Sequence, residues 1–224
     1  MENLLSNVSI HVNEHIYQKN PESTDLGKRI LVGGIGLIHE IGFDNFTFRK
    51  LGKHINSPEA SVYRYFENKH KLLLYLTSWY WGWMEYRLVF DLANIISPTQ
   101  RLEKAILLLT DKVKKDGNIA HIDEVKLSEI VISESSKSFL NKDVDQDNNQ
   151  GVFTSYKQLV ERVSNIIIEV NPQYKYPHML VSTMIEGVHF QRYFAEHLPR
   201  LTDVIINEDA ISEFYKEMVF KSIK

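Results

Sequence analysis

The chain has 224 residues, of which 43% are hydrophobic and 25% are charged, the composition of a globular protein with a sizeable core. It has no cysteine, which excludes disulfide bonds and thiolate metal sites. Its net charge of −3, taken alone, argues against a protein that binds nucleic acid. Without a signal-peptide pattern or an apolar run of about 18 residues, we expect a cytoplasmic protein with no membrane partner.

Residues 1–22 are predicted to form an N-terminal arm. Val8, Ile10 and Val12 alternate as in a strand, and a polar stretch follows as far as Pro21. The arm is expected either to pack on the first helix or to be poorly ordered. An arm that lies along DNA is an alternative, but Lys19 is its only basic residue, so packing is favoured.

A first helix is predicted from about Ser23 to Ile41, because Leu26, Ile30 and Leu37 recur on one stripe. Gly42 suits the C-terminal cap of this helix. The glycines inside the helix do not form a phosphate-binding loop, since no strand precedes them and their spacing is wrong. Close approach of another helix explains them better.

A second short helix is predicted to begin after Thr47, a suitable N-cap, and to carry an apolar stripe of Phe48, Leu51 and Ile55. Asn56 tolerates a left-handed backbone and is expected to close this helix and turn the chain. This pattern is typical of the first half of a helix-turn-helix unit.

A third helix is predicted with Ser57 as its cap and Pro58 at its first position. Val62 and Phe66 are predicted to lie on the inward face of this helix. Asn68 is predicted to cap the long helix that follows. The other faces of the short helix carry Glu59, Ala60, Ser61, Arg64 and Tyr65. The second helix of such a unit enters the major groove of DNA.

The charge distribution agrees with DNA binding in this stretch. Between residues 44 and 75 the basic residues exceed the acidic ones by three, so the rest of the chain is acidic; the basic ones are Arg49, Lys50, Lys53, Arg64, Lys69 and Lys71. A basic segment on an acidic body is what a modular DNA-binding protein needs. The alternative is that these charges are only the solvated faces of amphipathic helices.

From about residue 26 to residue 73 the chain resembles the N-terminal DNA-binding domain of the TetR family of bacterial transcriptional regulators. The resemblance rests on Gly42-Phe43, on the run from Thr47 to Leu51, on the run from Val62 to Phe66, and on Asn68-Lys69 and Leu72-Leu73. The sequence departs from the family at three positions, where it has Gly52 for alanine, Asn56 for glycine and Ser57 for a buried aliphatic residue.

The resemblance implies a homodimeric repressor that binds an inverted-repeat operator in double-stranded DNA and is released by a small-molecule effector. By resemblance, Tyr63 and Lys69 fix the register on phosphates. Arg64 is able to read a base edge, and Arg49 reaches a phosphate or a base. The expected DNA-binding residues are Thr47, Phe48, Arg49, Lys50, Ser57, Glu59, Ala60, Ser61, Tyr63, Arg64, Tyr65 and Lys69.

The rest of the chain is predicted to be helical, which makes the fold all-α: an N-terminal three-helix DNA-binding domain (residues 23–75) followed by a larger helical domain for effector binding and dimerisation (76–224). A turn is expected at residues 116–118 and a loop at 141–151. Helices are expected at about 97–115, 121–136, 152–170, 179–198 and 210–223. By resemblance, the last two pair with those of a second subunit.

Aromatic residues concentrate after residue 73, and two interpretations of them remain open. One is core packing, and the other is an apolar effector pocket. His189 is expected either to face that pocket or to be a hydrogen-bonded core histidine. The candidate pocket residues are Trp83, Tyr86, Phe90, His189 and Tyr193.

Nothing in the sequence indicates catalysis, a metal or a cofactor. Glu67/His70 and Glu186/His189 have the helical spacing of di-iron ligands, but no accompanying carboxylates complete either set. The acids of residues 141–151 lack the glycine and the final glutamate of a calcium loop. The alternative function is an all-helical protein that binds a small molecule without binding DNA.

Overall fold

The computed structural model describes residues 10–115, 121–205 and 208–224. Within these ranges the chain forms eleven α-helices and three short 3-10 helices and no strand, so the predicted all-α fold is confirmed. The α-helices are α1 Asp25–Asn45, α2 Phe48–His54, α3 Glu59–Tyr63, α4 Lys69–Leu92, α5 Pro98–Thr110, α6 Glu124–Glu134, α7 Ser136–Phe139, α8 Val144–Asn149, α9 Thr154–Val170, α10 Pro177–His197 and α11 Ala210–Ser222.

The chain divides into two compact units, and each unit is built from two stretches of sequence. The first unit comprises residues 1–82 and 113–154, and the second comprises residues 83–112 and 155–224. The helices α6 to α8 thus join the N-terminal helices. The division by function predicted from the sequence, at residues 22 and 75, remains a prediction.

The core of the first unit forms where α1 packs against α2 and α6. Ile30, Leu31 and Ile35 of α1 are almost completely buried, as is Leu127 of α6. A Cβ atom on Gly33 would lie 2.3 Å from Cγ2 of Ile55, so this glycine does permit the close helix approach predicted for it.

The N-terminal arm packs on the first unit, as predicted for the residues that the structure describes. Val12 and Ile16 are buried, and the backbone N–H of Gln18 donates to the carbonyl of Tyr65 at 2.8 Å. Two 3-10 helices, Glu14–Ile16 and Pro21–Ser23, shape the segment. Val8 and the predicted turn at 116–118 lie outside the described residues.

The predicted loop at residues 141–151 is wrong, because α8 forms there. Asp147 of this helix is buried, and its carboxylate accepts a hydrogen bond from the Lys71 ammonium at 2.8 Å. His70 Nε2 lies 3.7 Å from the same carboxylate. The Lys71 ammonium on α4 compensates the charge of Asp147, so a polar segment without a hydrophobic pattern packs as a helix against the core.

In the second unit, α11 packs against α5 and α10. A Cβ atom on Gly187 of α10 would lie 2.2 Å from the hydroxyl of Tyr215, which shows how closely α11 approaches α10. Arg192 joins the three helices: its Nη2 donates to the carbonyl of Thr110 and to the Asp209 carboxylate. Among the described helices, none combines the length and apolarity needed to cross a membrane.

Candidate nucleic-acid interface

The turn between α2 and α3 has the predicted geometry. The Thr47 hydroxyl accepts from the backbone N–H of Lys50 at 3.2 Å and caps α2, and Asn56 has a positive φ of 50°. The N–H of Ser57 donates to the carbonyl of Gly52 at 2.8 Å. A Cβ atom on Gly52 would lie 2.7 Å from the Ser57 carbonyl oxygen, so glycine suits this tight turn.

The prediction that Ser57 caps α3 is wrong. Pro58 occupies the cap position, and no side chain makes a capping hydrogen bond there. Ser57 lies one residue before the cap position, where its N–H closes the preceding turn, and Pro58 leads directly into Glu59. The cap predicted for α4 is confirmed, since Asn68 Oδ1 accepts from the N–H of Lys71 at 2.9 Å.

An aromatic cluster holds α3 in place over α2. Val62 and Phe66 are fully buried, as predicted. Phe48 is also buried and meets the rings of Tyr63 and Phe46 edge-on, with centroids 5.0 Å and 6.2 Å apart. Phe48 is therefore a packing residue whose side chain positions the ring of Tyr63. Only the backbone of Phe48 is left to contact DNA at the start of α2, next to Thr47.

The outer surface of α2 and α3 is polar and predominantly basic. Tyr63 is 46% exposed, and Arg64 is exposed with its Nη2 donating to the Ser61 hydroxyl at 3.1 Å. Lys50 donates to the carbonyl of Asn45 at 2.8 Å. The predicted residues that the structure leaves exposed or half-buried are Thr47, Arg49, Lys50, Ser57, Glu59, Ala60, Tyr63, Arg64 and Lys69.

Two residues predicted to lie on the outer faces of α3 are buried, and that prediction is wrong. Ser61 is 6% exposed and Tyr65 is 3% exposed. The helix ends at Tyr63, so Tyr65 lies in the turn after it and faces the N-terminal arm. There its hydroxyl hydrogen-bonds that of Thr24 at 2.7 Å.

The ammonium group of Lys69 stabilises the connection between α1 and α2. It donates to the carbonyls of Phe43, Asp44 and Phe46 at 2.9, 3.2 and 3.3 Å, and it lies 4.7 Å from the centre of the Phe43 ring. These bonds engage all three donors of an ammonium. A phosphate contact by Lys69, which the resemblance implies, would have to replace one of these three hydrogen bonds.

Residues of α6 and α7 hold the same connection from another side. Glu134 accepts from the N–H of Phe43 at 3.1 Å, beside Gly42, whose φ of 75° ends the regular part of α1. Lys137 bridges the carboxylates of Glu134 and Asp44, each at 2.8 Å. The hydrogen bond from Lys137 lowers the pKa of Asp44. The start of α2 is therefore positioned by long-range contacts as well as by its own cap.

Replacing Thr47 by alanine is expected to destabilise the first unit by about 1 kcal/mol, because the N–H of Lys50 loses its partner. Chemical denaturation followed by circular dichroism measures the change. Serine at the same position keeps the hydroxyl and is the matched control. Equal stability of the alanine and serine variants would show that the cap contributes nothing.

The five residues predicted for the effector pocket all belong to the second unit, and the structure places them in different environments. Trp83 is fully buried with Arg87 stacked on its ring, His189 is 8% exposed, and Tyr86 is half-buried. Phe90 and Tyr193 are 64% and 39% exposed. The predicted pocket therefore remains a prediction.

A separate cleft of about 440 Å³ opens in the second unit among α4, α5 and α9. Its walls are partly charged, and their arginines are paired: Arg162 with Glu85 at 3.0 Å, and Arg101 with Glu169. None of the five predicted pocket residues lines it. No sequence pattern indicates this cleft, because the paired residues are 68 and 77 positions apart in the chain.

The second Glu-x-x-His pair, on α10, makes contacts unlike those of a metal site. Glu186 accepts a hydrogen bond from the Tyr156 hydroxyl at 2.9 Å, and burial raises the pKa of this carboxyl. Burial lowers the pKa of His189 to about 4, so its ring is neutral at physiological pH. In the described part of the chain, no group of three or more potential ligands is arranged to hold a metal ion.

The geometry of α2 and α3 defines a helix-turn-helix unit, the class of domain found in DNA-binding transcriptional regulators. Residues 30–76 match the family described as bacterial regulatory proteins, tetR family. The chain thus carries the N-terminal domain of the TetR family, the family that its sequence predicted. No curated protein has a sequence that matches the chain.

Several solved structures share the fold. FadR from Bacillus subtilis in complex with stearoyl-CoA is 16% identical, with a TM-score of 0.57 over 88% of this chain and 98% of that one. AibR in complex with isovaleryl coenzyme A and operator DNA is 15% identical, with a TM-score of 0.53 over 86% and 95%. Superantigen PfiT is 13% identical, with a TM-score of 0.58 over 91% and 97%. At these identities the likeness shows the fold alone.

Proposed function

We propose that the protein is a homodimeric, sequence-specific transcriptional repressor that leaves its operator when a small molecule binds. The observation that carries the proposal is the exposed basic surface of α2 and α3, on a motif whose turn and caps are those of a helix-turn-helix. In this proposal Arg64 reads a base edge in the major groove, and Tyr63 contacts a phosphate.

The apolar surface of the second unit supports the proposed dimer. Its last two helices expose several large apolar side chains: Met179, Phe190 and Tyr193 on α10, and Phe214 on α11 are between 39% and 67% exposed. Two copies of these helices packed as a four-helix bundle would bury them. A two-fold dimer then accounts for an operator with inverted half-sites.

For the effector, we propose a small molecule bound in the second unit. FadR and AibR are described with stearoyl-CoA and isovaleryl coenzyme A, which makes acyl-CoA thioesters the first compounds to screen. Release requires that the compound bind the DNA-incompetent form more tightly, since a ligand shifts an equilibrium only by its differential affinity. The readout is loss of operator binding as the thioester concentration rises.

Selection of binding sites from random duplex DNA at low salt, read by sequencing, tests the proposal. An enriched inverted repeat supports a dimeric DNA-binding regulator. Absence of enrichment contradicts it and favours a helical protein that binds only small molecules.

Once an operator is known, Arg64→Ala is expected to weaken its binding by about 5- to 150-fold, because a bidentate arginine–base contact is worth about 1–3 kcal/mol. Fluorescence anisotropy with the operator and with a scrambled duplex measures the effect. Arg64→Lys keeps the charge without the planar fork and is the matched control. If lysine restores full discrimination between the duplexes, the residue acts through charge and not through base reading.

A further inference from the structure

The N-terminal arm is fixed to the end of α3 at two points. The N–H of Gln18 donates to the Tyr65 carbonyl at 2.8 Å, and the hydroxyls of Thr24 and Tyr65 share a hydrogen bond of 2.7 Å. The chain between them makes the 3-10 helix Pro21–Ser23, which lies against Gly27 at the start of α1. The arm therefore covers Tyr65, the second residue after the end of α3.

Lys19 is the basic residue of this covering segment. Its side chain is exposed, and its ammonium lies 5.4 Å from the centre of the Tyr65 ring, which limits its range of positions. Unlike Lys50 and Lys69, Lys19 makes no hydrogen bond or ion pair within the described residues. Glu22 is the acidic residue nearest to Lys19 in the sequence, and its Oε2 atom lies 2.7 Å from Nε2 of His121.

We propose that the arm is part of the DNA-binding surface and that Lys19 neutralises a backbone phosphate next to the groove that α3 enters. The inference rests on the proposed DNA binding. Tyr65 is two residues beyond the exposed Tyr63, so their Cα atoms are at most about 7 Å apart and the Lys19 ammonium lies beside the chain that leaves α3. A lysine ammonium is a point charge on a flexible stem, which suits a phosphate better than a base edge.

The contact predicts a specific change in salt dependence. Each phosphate neutralised contributes about 0.9 to the slope of the logarithm of the binding constant against the logarithm of salt concentration. Lys19→Gln is expected to reduce that slope by about 0.9 and to weaken binding to the selected operator and to a scrambled duplex by the same factor. Anisotropy titrations of the full chain over a potassium chloride series measure both.

Two variants serve as controls. Lys19→Arg keeps the charge and is expected to keep the slope, whereas Lys126→Gln removes an exposed charge on α6 and is expected to leave the slope unchanged. An unchanged slope or tighter binding in Lys19→Gln overturns the inference, and tighter binding would show that the arm opposes DNA binding. If the wild-type chain binds no duplex, the proposed function itself fails.

Discussion

Replacing Phe66 by alanine is expected to destabilise the first unit by about 3–5 kcal/mol and to abolish operator binding with it. Phe66 is fully buried after the end of α3, and its ring meets the ring of Tyr75 of α4 edge-on at 5.5 Å. Alanine would leave a cavity between the recognition helix and the helix that supports it. This loss is a large fraction of the roughly 5–15 kcal/mol by which a folded domain is stable.

Urea denaturation of the full chain, followed by circular dichroism, measures this loss. Phe66→Leu retains most of the apolar volume and is expected to cost much less. Phe90→Ala, at a ring that is 64% exposed, is expected to change the stability by no more than about 0.5 kcal/mol. A cost below about 1 kcal/mol for Phe66→Ala would show that this ring does not support the motif.

Acid is expected to destabilise the second unit through His189. Burial lowers the pKa of this group to about 4 in the folded chain, against 6.5 when exposed. Above pH 6.5 neither state binds the proton; between about 6.5 and 4 only the unfolded state does, so stability falls as the pH falls. The full difference is worth about 3 kcal/mol.

The measurement is the free energy of unfolding at several pH values for the wild type and for His189→Gln. The variant is expected to lose less stability between pH 6.5 and 4 than the wild type does. His197→Gln replaces a histidine whose side chain is 56% exposed and is expected to leave the pH dependence as it is. Parallel curves for the wild type and His189→Gln would contradict the assignment.

The parts of the structure that local chemistry determines were predictable from the sequence. The caps of Thr47 and Asn68 and the positive φ of Asn56 depend on residues within a few positions of each other. The buried face of the motif, with Val62 and Phe66, follows from helical spacing. Apart from Asn56, which stands where the family has glycine, these residues also carry the resemblance to the family.

The features that the sequence did not reveal depend on distant partners. Tyr65 is buried against the N-terminal arm, where its hydroxyl shares a hydrogen bond with that of Thr24, 41 residues earlier in the chain. The polar helix α8 forms because Asp147 meets Lys71, 76 residues away. Hydrophobic periodicity does not reveal contacts between residues that are far apart in the sequence. The charged cleft of the second unit also depends on such contacts and was therefore not predicted.

The discontinuity of the first unit has a consequence for synthesis. The recognition helix leaves the ribosome early, but residues 113–154, which include the Glu134 and Lys137 that contact the connection before α2, begin 31 residues after Gly82 and end 72 residues after it. At about 5–20 residues per second, the nascent motif waits roughly 4 to 14 s for them. A fragment truncated after α4 would lack the contacts of Glu134 and Lys137 and is expected to be less stable than the full chain.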